Sequence, residues 1–322
     1  MKVNNMSEFK FIDLFAGIGG MRLGFQNAGG RCVFSSEWDG HAVKTYIANF
    51  NEVPYGDITT LDPMDLPEFD VLSAGFPCQP FSSFGKREGF KHKTQGTLFH
   101  NVLTIIEARR PKAFLLENVK GLLSHDNKAT MSTIMSALDE AEYWVDYAVL
   151  NAADYSVPQN RERVYIVGFR KDLFEKFPMA FPRAKSKRVG IGKFIESNVE
   201  GYSISEHLQK VYIYKKDDGR PEVVNPNSDH PVKTLVASYH KIQRMSGTFV
   251  EDGPTGLRLL TPNECKRIMG FPIQFKIPVS RTQMYRQMGN SVAVPVITAV
   301  AKEIAKTLDE RKLLQSSKVR KK

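Results

Sequence analysis

A short apolar strand that runs directly into a glycine-rich turn is the feature that most constrains the fold. Residues 11–15 are apolar apart from Asp13, and residues 16–20 contain three glycines. Residues 21–28 then have helical spacing and end at a pair of glycines. A strand, a glycine turn and a helix in this order begin a nucleotide-binding βαβ unit, because glycines permit a tight turn and let a ligand lie against the backbone. The sequence therefore predicts an α/β fold.

The next strand, residues 32–35, also ends in polar and aromatic residues. Glu37 lies 17 residues after Gly20, about where an acid binds the ribose hydroxyls of an adenosyl group. Trp38 offers a flat face for a purine, and a partly buried packing role is an equally good interpretation. Asp57 follows in another acidic turn, where it is either a second acid at a strand end or a simple solvated residue.

Cys78 follows a short apolar run, residues 71–73, and lies between Pro77 and Pro80. Open α/β sheets place their reacting groups at the carboxyl ends of strands. The stretch after it, residues 82–95, is polar, basic and rich in glycine, which is typical of a mobile loop that closes over an anionic ligand. Cys78 is therefore either a nucleophile or a buried, inert cysteine.

An acid and two arginines stand at the ends of two further strands. Glu117 follows the apolar residues 113–116, so partial desolvation would raise its pKa and keep a proton available. A helix-capping or solvated acid is the alternative. Arg161 and Arg163 precede the apolar strand 164–168 and point to the same face, where they suit a phosphate or a carbonyl oxygen. An ordinary solvated pair is again the alternative.

The regular alternation of strands and helices fades between residues 184 and 284. This stretch has 16 Lys and Arg against 10 Asp and Glu, so it carries +6 of the chain's net charge of +10. Short β-like pieces at 211–214 and 248–250 lie among turns. A basic, loop-rich module suits groove reading of nucleic acid, although basic charge also serves solubility. We expect residues 1–183 and 285–322 to form the catalytic domain, with 184–284 as a target-recognition domain.

Covering helices complete the predicted architecture. Apolar residues three or four apart, or a capping acid at the start, predict helices over residues 41–50, 97–110, 130–141, 261–269 and 294–308. Residues 287–291 are predicted to be a turn.

Three cysteines without any paired spacing argue against a disulfide framework or a structural zinc. The amino terminus lacks an apolar signal core, and no run of about 18 apolar residues occurs. We therefore expect a soluble, unexported, cytoplasmic protein with no metal and no membrane partner.

Six segments, taken in order, resemble bacterial DNA (cytosine-5)-methyltransferases of the restriction–modification type. They are residues 13–20, 75–82, 117–119, 159–163, 258–272 and 289–292. Each is weak or moderate alone, and the ordered set is specific and covers essentially the whole chain outside the basic module. The resemblance implies a Rossmann-like S-adenosylmethionine-dependent methyltransferase domain, with a smaller, loop-rich target-recognition domain inserted near the carboxyl terminus. Thr234 and Leu235 resemble the Thr-Leu pair of that recognition domain.

The resemblance also implies a mechanism on a cytosine flipped out of duplex DNA. The thiolate of Cys78 adds to carbon 6, which makes carbon 5 nucleophilic toward the methyl group of S-adenosylmethionine, leaving S-adenosylhomocysteine. Glu117 meets ring nitrogen 3, and Arg163 holds the base carbonyl with support from Arg161. The base that removes the carbon-5 proton is not named by the sequence, and the loop of residues 82–95 is expected to close over the site.

The resemblance implies two further sets of binding residues and no metal site. The cofactor is expected to contact Phe15, Gly17, Ile18, Gly19, Gly20, Glu37, Trp38, Asp57, Ile58, Pro77, Leu98, Asn290 and Ser291. DNA is expected to contact Gln79, Ser82, Lys86, Arg87, Thr234, Leu235, Lys241 and Arg244.

The expected partner is double-stranded DNA with a short, specific, palindromic site, alongside a restriction endonuclease encoded separately. A monomer is expected, since one active site per chain is sufficient. Two alternatives stay open. An RNA (tRNA) cytosine-5 methyltransferase shares the catalytic segments but lacks a comparable recognition module, and a catalytically silent DNA-binding protein would keep only the scaffold.

Overall fold

A six-stranded sheet forms the centre of the protein. The computed structural model describes residues 8–77, 98–184, 187–216 and 220–319, with side chains described as far as Lys312. The strands are β1 (Phe9–Leu14), β2 (Gly30–Ser36), β3 (Val71–Ala74), β4 (Ala113–Val119), β5 (Tyr143–Asn151) and β6 (Glu162–Arg170). Their order is β2-β1-β3-β4-β6-β5. The first four strands are parallel, and β6 runs antiparallel to both of its neighbours.

The helices are α1 (Gly20–Gln26), α2 (Gly40–Phe50), α3 (Leu98–Arg109), α4 (Ala129–Glu140), α5 (Pro262–Met269), α6 (Arg281–Asn290) and α7 (Val294–Val319). Of these, α1 and α7 pack in one core of the sheet, and α3 and α4 pack in the other. The Rossmann-like α/β architecture predicted from the sequence is confirmed. Within the described ranges, no helix is both long and apolar enough to cross a membrane.

Two apolar cores lie on opposite faces of the sheet because successive strand residues point to opposite sides. In β1, Phe11 packs in one core with residues of α1 and α7, whereas Ile12 packs in the other with residues of α3 and α4. Both side chains have no exposed surface. In such folds ligands bind beyond the carboxyl ends of the parallel strands.

The close packing of α1 against α7 depends on a glycine. A Cβ atom on Gly24 would lie 2.3 Å from Cγ2 of Ile297, closer than real side chains approach. Bare backbone at this position therefore lets α7 back the helix that follows the glycine turn.

A second, three-stranded sheet lies in the basic part of the chain. It consists of β7 (Glu222–Val224), β8 (Thr248–Glu251) and β9 (Leu257–Arg258) in that order. A third apolar core joins this sheet to α5 and α6. Beside it, the buried Arg258 donates to both carboxylate oxygens of Glu264, at 2.9 and 2.8 Å, and to Asp252 at 2.8 Å.

Two local predictions were wrong. Residues 211–214, predicted to be β-like, lie at the end of a helical segment formed by Glu206–Leu208 and the wider turn Gln209–Ile213. Here the Gln209 side chain donates to two backbone carbonyls, of Ile204 and Thr255, and so fixes the helical backbone despite its β-branched and aromatic residues. Residues 287–291, predicted to be a turn, continue α6 as far as Asn290.

Candidate active site

The glycine turn after β1 is held by an acid from β2. Gly17 and Gly19 have φ values of +56° and +89°, in the left-handed region that glycine adopts most easily. Gly17 N donates to Oε2 of Glu37 at 2.8 Å, and Asp39 N donates to Oε1 at 2.7 Å. Burial raises the pKa of Glu37, and these backbone donors oppose the rise. The carboxylate is therefore fixed at the edge of the turn.

Ser291 lies against the same turn although it comes from the other end of the chain. A Cβ atom on Gly20 would lie 2.7 Å from Ser291 Oγ. The neighbouring Asn290 is exposed at the end of α6. The structure thus brings Ser291 together with the glycine turn, as the sequence analysis required of a shared pocket.

The other residues expected at the cofactor differ in their exposure. Trp38 is 79% exposed beyond β2, which rules out the packing role considered for it. Asp57 is exposed, and its pKa is lowered by the backbone N–H of Thr59, which it caps. Ile58 is buried in the core. Further positions are the half-buried Phe15 and Leu98, the buried Ile18, and the exposed Pro77.

Asp13 is a buried acid beneath the glycine turn whose connections were not anticipated. Its Oδ1 accepts from Ser73 Oγ at 2.9 Å, and its Oδ2 accepts from Arg22 N at 3.2 Å. Burial raises the pKa of Asp13 to about 7, against the lowering effect of these donors. Asp13 therefore connects β1, β3 and the first turn of α1. The signal in the sequence was a lone acid inside an apolar strand.

Glu117 and Arg163 form an ion pair where β4 and β6 meet. Arg163 Nε lies 3.2 Å from Glu117 Oε1, and the two side chains are only 15% and 11% exposed. Burial raises the pKa of Glu117, and the charges of Arg163 and Arg161 oppose this. The solvated interpretations of Glu117 and Arg163 are thereby overturned, because both side chains are largely shielded from water.

Arg161 is more deeply buried and connects three segments. Its Nη1 donates to Leu235 O at 3.2 Å, and its Nη2 donates to Gly289 O at 3.0 Å and Ser291 O at 2.5 Å. Burial and the neighbouring Arg163 lower its pKa to about 10, so it remains charged at neutral pH. Its buried Nε has no hydrogen-bond partner among the described residues.

Residues 158–161 are bonded along their length to residues 231–235 of the basic module. The sequence analysis identified the arginines but missed this seam. The bonds run from Val232 N to Pro158 O (2.9 Å), Asn160 N to Val232 O (2.8 Å), Thr234 Oγ1 to Asn160 O (2.6 Å) and Leu235 N to Gln159 Oε1 (2.8 Å). Arg161 therefore lies in a segment that is hydrogen-bonded to the basic module, and Arg163 follows two residues later.

The described chain reaches the carboxyl end of β3 next to Glu117. Asn118 Nδ2 donates to Phe76 O at 2.9 Å, which fastens the end of this segment to β4. A Cβ atom on Gly75 would lie 3.7 Å from Glu117 Oε2. Cys78, Gln79, Ser82, Lys86, Arg87 and the predicted closing loop lie outside the described residues.

A cleft of about 580 Å³ is lined by Arg163, the partner of Glu117 in the ion pair. Its walls are Val119, Lys120, Gly121, Asn151, Asn160, Glu162, Arg163 and Thr234. The cleft thus lies between the six-stranded sheet and the seam at Asn160 and Thr234, and it is large enough for a nucleobase with its sugar.

The described residues expected to contact DNA differ in exposure. Thr234 is half-buried in the seam, and Lys241 is exposed. Leu235 is only 3% exposed and packs in the third core. Arg244 is 7% exposed and donates to Ile213 O and Lys216 O at 2.9 Å each. In this conformation Leu235 and Arg244 hold the module together and do not face solvent, because apolar packing and backbone carbonyls satisfy them.

The two cysteines in the described part of the chain are poor nucleophiles. Cys265 is fully buried, and Cys32 is half-buried in β2. Burial raises the pKa of both thiols, to about 12 for Cys32. Neither thiol would supply a thiolate at neutral pH.

Comparison with known proteins identifies relatives along almost the whole chain. Residues 9–306 match the family described as C-5 cytosine-specific DNA methylase. The type II methyltransferase M.MspI of Moraxella sp is 55% identical over 302 residues, covering 94% of this chain and 72% of that protein. M.BsuFI of Bacillus subtilis is 54% identical over 322 residues, covering 100% of this chain and 77% of that protein.

Solved structures share the fold at lower identity. A mutant of DNMT2 from Spodoptera frugiperda aligns with a TM-score of 0.75 and 24% identity, covering 93% of this chain and 99% of that one. This likeness concerns the architecture of the sheet and its helices.

Proposed function

Since the chain belongs to the C-5 cytosine-specific DNA methylase family, we propose that the cleft beside Glu117 and Arg163 receives a cytosine flipped out of duplex DNA. The enzyme methylates carbon 5 of cytosine in DNA in a sequence-specific manner, in keeping with its family and with relatives that are named type II methyltransferases. The observation that carries the assignment of the site is the shielded Glu117–Arg163 pair at the carboxyl edge of the sheet. Base flipping is required because the reacting atoms are inaccessible within a stacked duplex.

Cys78 is the proposed nucleophile. Its thiolate adds to carbon 6 of the cytosine ring, and the electron pair of the broken 5,6 double bond makes carbon 5 nucleophilic. After methyl transfer, loss of the carbon-5 proton returns that electron pair to the ring and expels the thiolate. The choice is supported by the position of Cys78 directly after Pro77 and by the raised pKa values of Cys32 and Cys265.

Glu117 is proposed to supply a proton to ring nitrogen 3 as the thiolate adds. Burial raises its pKa, which favours the protonated form that this role requires. Two nearby arginines limit the rise and so stabilise the carboxylate that this transfer leaves, until it takes the proton back from nitrogen 3 when the thiolate leaves. A group that both gives and receives a proton works best with a pKa near the working pH.

Arg163 is proposed to hold the carbonyl oxygen of the base, with Arg161 in support. Arg163 Nη1 donates to Glu162 O at 2.8 Å, and its Nε faces Glu117. These two contacts fix the plane of the guanidinium before substrate arrives. A fixed cation stabilises charge that develops on the base without having to reorganise.

The chemistry of the turn after β1 fits S-adenosylmethionine, which would supply the methyl group. The backbone at Gly17 and Gly19 allows a ligand to approach closely. Glu37 already accepts two N–H groups and retains lone pairs for ribose hydroxyls. The exposed Trp38 supplies a ring face for adenine. We propose the following contacts around this turn: Phe15, Gly17, Ile18, Gly19, Gly20, Glu37, Trp38, Asp57, Ile58, Pro77, Leu98, Asn290 and Ser291.

Residues 184–284 are proposed to form the target-recognition domain, which reads the duplex. Support comes from its net positive charge and its separate three-stranded sheet. Gln79, Ser82, Lys86, Arg87, Thr234 and Lys241 remain proposed DNA contacts. The enzyme is further proposed to act as a monomer, to remain in the cytoplasm and to protect host DNA from a separately encoded endonuclease.

Bisulfite sequencing of plasmid DNA tests this function. The full chain and its Cys78→Ser variant are expressed in a bacterium that lacks cytosine methylation. Protected cytosines in one short motif, absent from cells with the variant, are the expected result. Unprotected plasmid in the presence of soluble protein would contradict the proposal, and protected cytosines in cellular RNA would then favour the RNA alternative.

A further inference from the structure

Residues 232–237, here called the coupling segment, contact two other parts of the chain. On one side the seam bonds them to residues 158–161, which end in Arg161. On the other side they touch the end of α6: a Cβ atom on Gly289 would lie 2.2 Å from Ala237 N and 2.3 Å from Val236 C. The segment therefore cannot shift without disturbing either residues 158–161 or α6.

The guanidinium of Arg161 hydrogen-bonds to both the coupling segment and the end of α6. It donates to Leu235 O in the coupling segment and to Gly289 O and Ser291 O at the end of α6. Ser291 in turn lies against Gly20 of the glycine turn. One buried planar cation thus connects the module that reads DNA to the turn that holds the cofactor, and it lies next to the Glu117–Arg163 pair.

We propose that Arg161 is a positioning residue that couples target recognition to cofactor binding through the coupling segment. This inference rests on the proposed function, since it assumes that the module reads DNA and that the glycine turn binds the cofactor. DNA that holds the loop after Ala237 in place also holds the carbonyl of Leu235 in place. Because Arg161 donates to this carbonyl and to those of Gly289 and Ser291, the position of the end of α6 is fixed as well. Such coupling is reciprocal, so that the cofactor equally favours target binding.

The experiment measures this coupling as a thermodynamic cycle. Calorimetry gives the affinity for S-adenosylhomocysteine with and without a duplex that carries the motif found by plasmid sequencing. For the unaltered chain we expect the duplex to tighten this affinity at least about fivefold. In Arg161→Lys we expect the factor to fall below about twofold, because an ammonium lacks the planar fork that reaches both segments.

The matched control is Arg109→Lys. Arg109 also donates to three backbone carbonyls, of Pro63, Met64 and Pro67, but it touches neither the coupling segment nor α6. This control is expected to retain the full coupling factor. Gly289→Ala is the second test variant, since its methyl group would push the coupling segment from α6, and it is expected to weaken coupling if Arg161→Lys does not fold.

Each outcome bears on the inference separately from the proposed function. Coupling that persists in both Arg161→Lys and Gly289→Ala overturns it. A chain that methylates its motif but binds S-adenosylhomocysteine equally with and without duplex also overturns it, while leaving the proposed function intact. Loss of coupling in Arg109→Lys as well would show a general effect of Arg replacement and would likewise overturn it.

Discussion

Arg163 reaches Glu117 diagonally across two antiparallel strands. In the register of β4 and β6, Arg163 stands opposite Val119 and Glu117 stands opposite Tyr165, yet Arg163 Nε lies 3.2 Å from Glu117 Oε1. Diagonal neighbours on a sheet are within reach of a long side chain. The pair thereby lies near the end of the sheet, where β4 finishes at the exposed Val119.

Replacing Glu117 with Gln should remove most of the activity. Glutamine keeps the size of the side chain but cannot supply an acidic proton, so single-turnover methyl transfer to DNA should slow by about 100-fold or more. Glu68→Gln, an exposed acid paired with Arg109, should leave the rate unchanged. Radiolabelled methyl transfer measures the rate. A Glu117→Gln rate within a few-fold of the unaltered chain would remove Glu117 from the mechanism.

Trp38 should report cofactor binding through its fluorescence. The chain has two tryptophans, and the other, Trp144, donates its indole N–H to Phe174 O away from the glycine turn. Stacking of adenine on the exposed Trp38 should change emission when S-adenosylhomocysteine is added. In Trp38→Phe the change should vanish while weaker binding persists by calorimetry. An unaltered signal in that variant would mean that Trp38 does not contact the adenine.

Asp13 should make stability depend on pH in a direction opposite to that of most acids. Because burial raises its folded pKa to about 7 from an ordinary 3.8, the folded state holds its proton more tightly than the unfolded state. Its contribution is fully present below about pH 4 and is lost as pH rises toward about 7. Urea unfolding measures this effect as a free energy of unfolding. As pH rises over this range, the unaltered chain should lose stability relative to Asp13→Asn by a few kcal/mol, at about 1.4 kcal/mol per pKa unit.

Asp70 provides the contrast for that experiment. Although burial opposes it, hydrogen bonds from Lys112 and from Lys10 N lower the pKa of Asp70. The Asp70 contribution should therefore be present at neutral pH and lost as pH falls through its lowered pKa. Difference curves for Asp13→Asn and Asp70→Asn that slope the same way would contradict the assignment of Asp13.

Arg258 should be far more costly to remove than a surface arginine. Arg258→Ala would leave the buried Glu264 carboxylate without its cation, which costs about 3–5 kcal/mol in comparable buried pairs. Arg170→Ala removes a partly exposed pair with Asp172 and should cost at most about 1 kcal/mol. Denaturant unfolding compares the two. Similar losses in both variants would show that the Arg258 network adds little to stability.

The strand ends were predictable because two local signals agreed there. At β4, four apolar residues precede Glu117, and at β1 the apolar run leads into glycines that must adopt positive φ. The apolar pattern of a buried strand and the backbone freedom of glycine can both be recognised from residues that are adjacent in the sequence. The start of α5 was likewise predictable, since the side chains of Thr261 and Glu264 each accept a hydrogen bond from the other's backbone N–H, as their spacing predicted.

The remainder depended on contacts between distant residues. Leu235 and Arg244 were expected to contact DNA, but they are buried by packing and by backbone carbonyls from elsewhere in the chain. Gly289 looked like a turn residue, whereas it serves the close approach of the coupling segment to α6. No neighbouring residue in the sequence signals either partner.

The docking of α1 on α7 at Gly24 has a consequence for the order in which the enzyme is made. Asn27 and Thr298, which meet across these helices, are 271 residues apart. At roughly 5–20 residues per second, a ribosome that has released the glycine turn needs about a quarter of a minute to a minute to produce the helix that backs it. Until then the nascent chain has the proposed recognition module, but the glycine turn proposed to bind the cofactor lacks its supporting helix. Methylation competence should therefore arise in one late step of synthesis, after the proposed recognition module has already had time to fold.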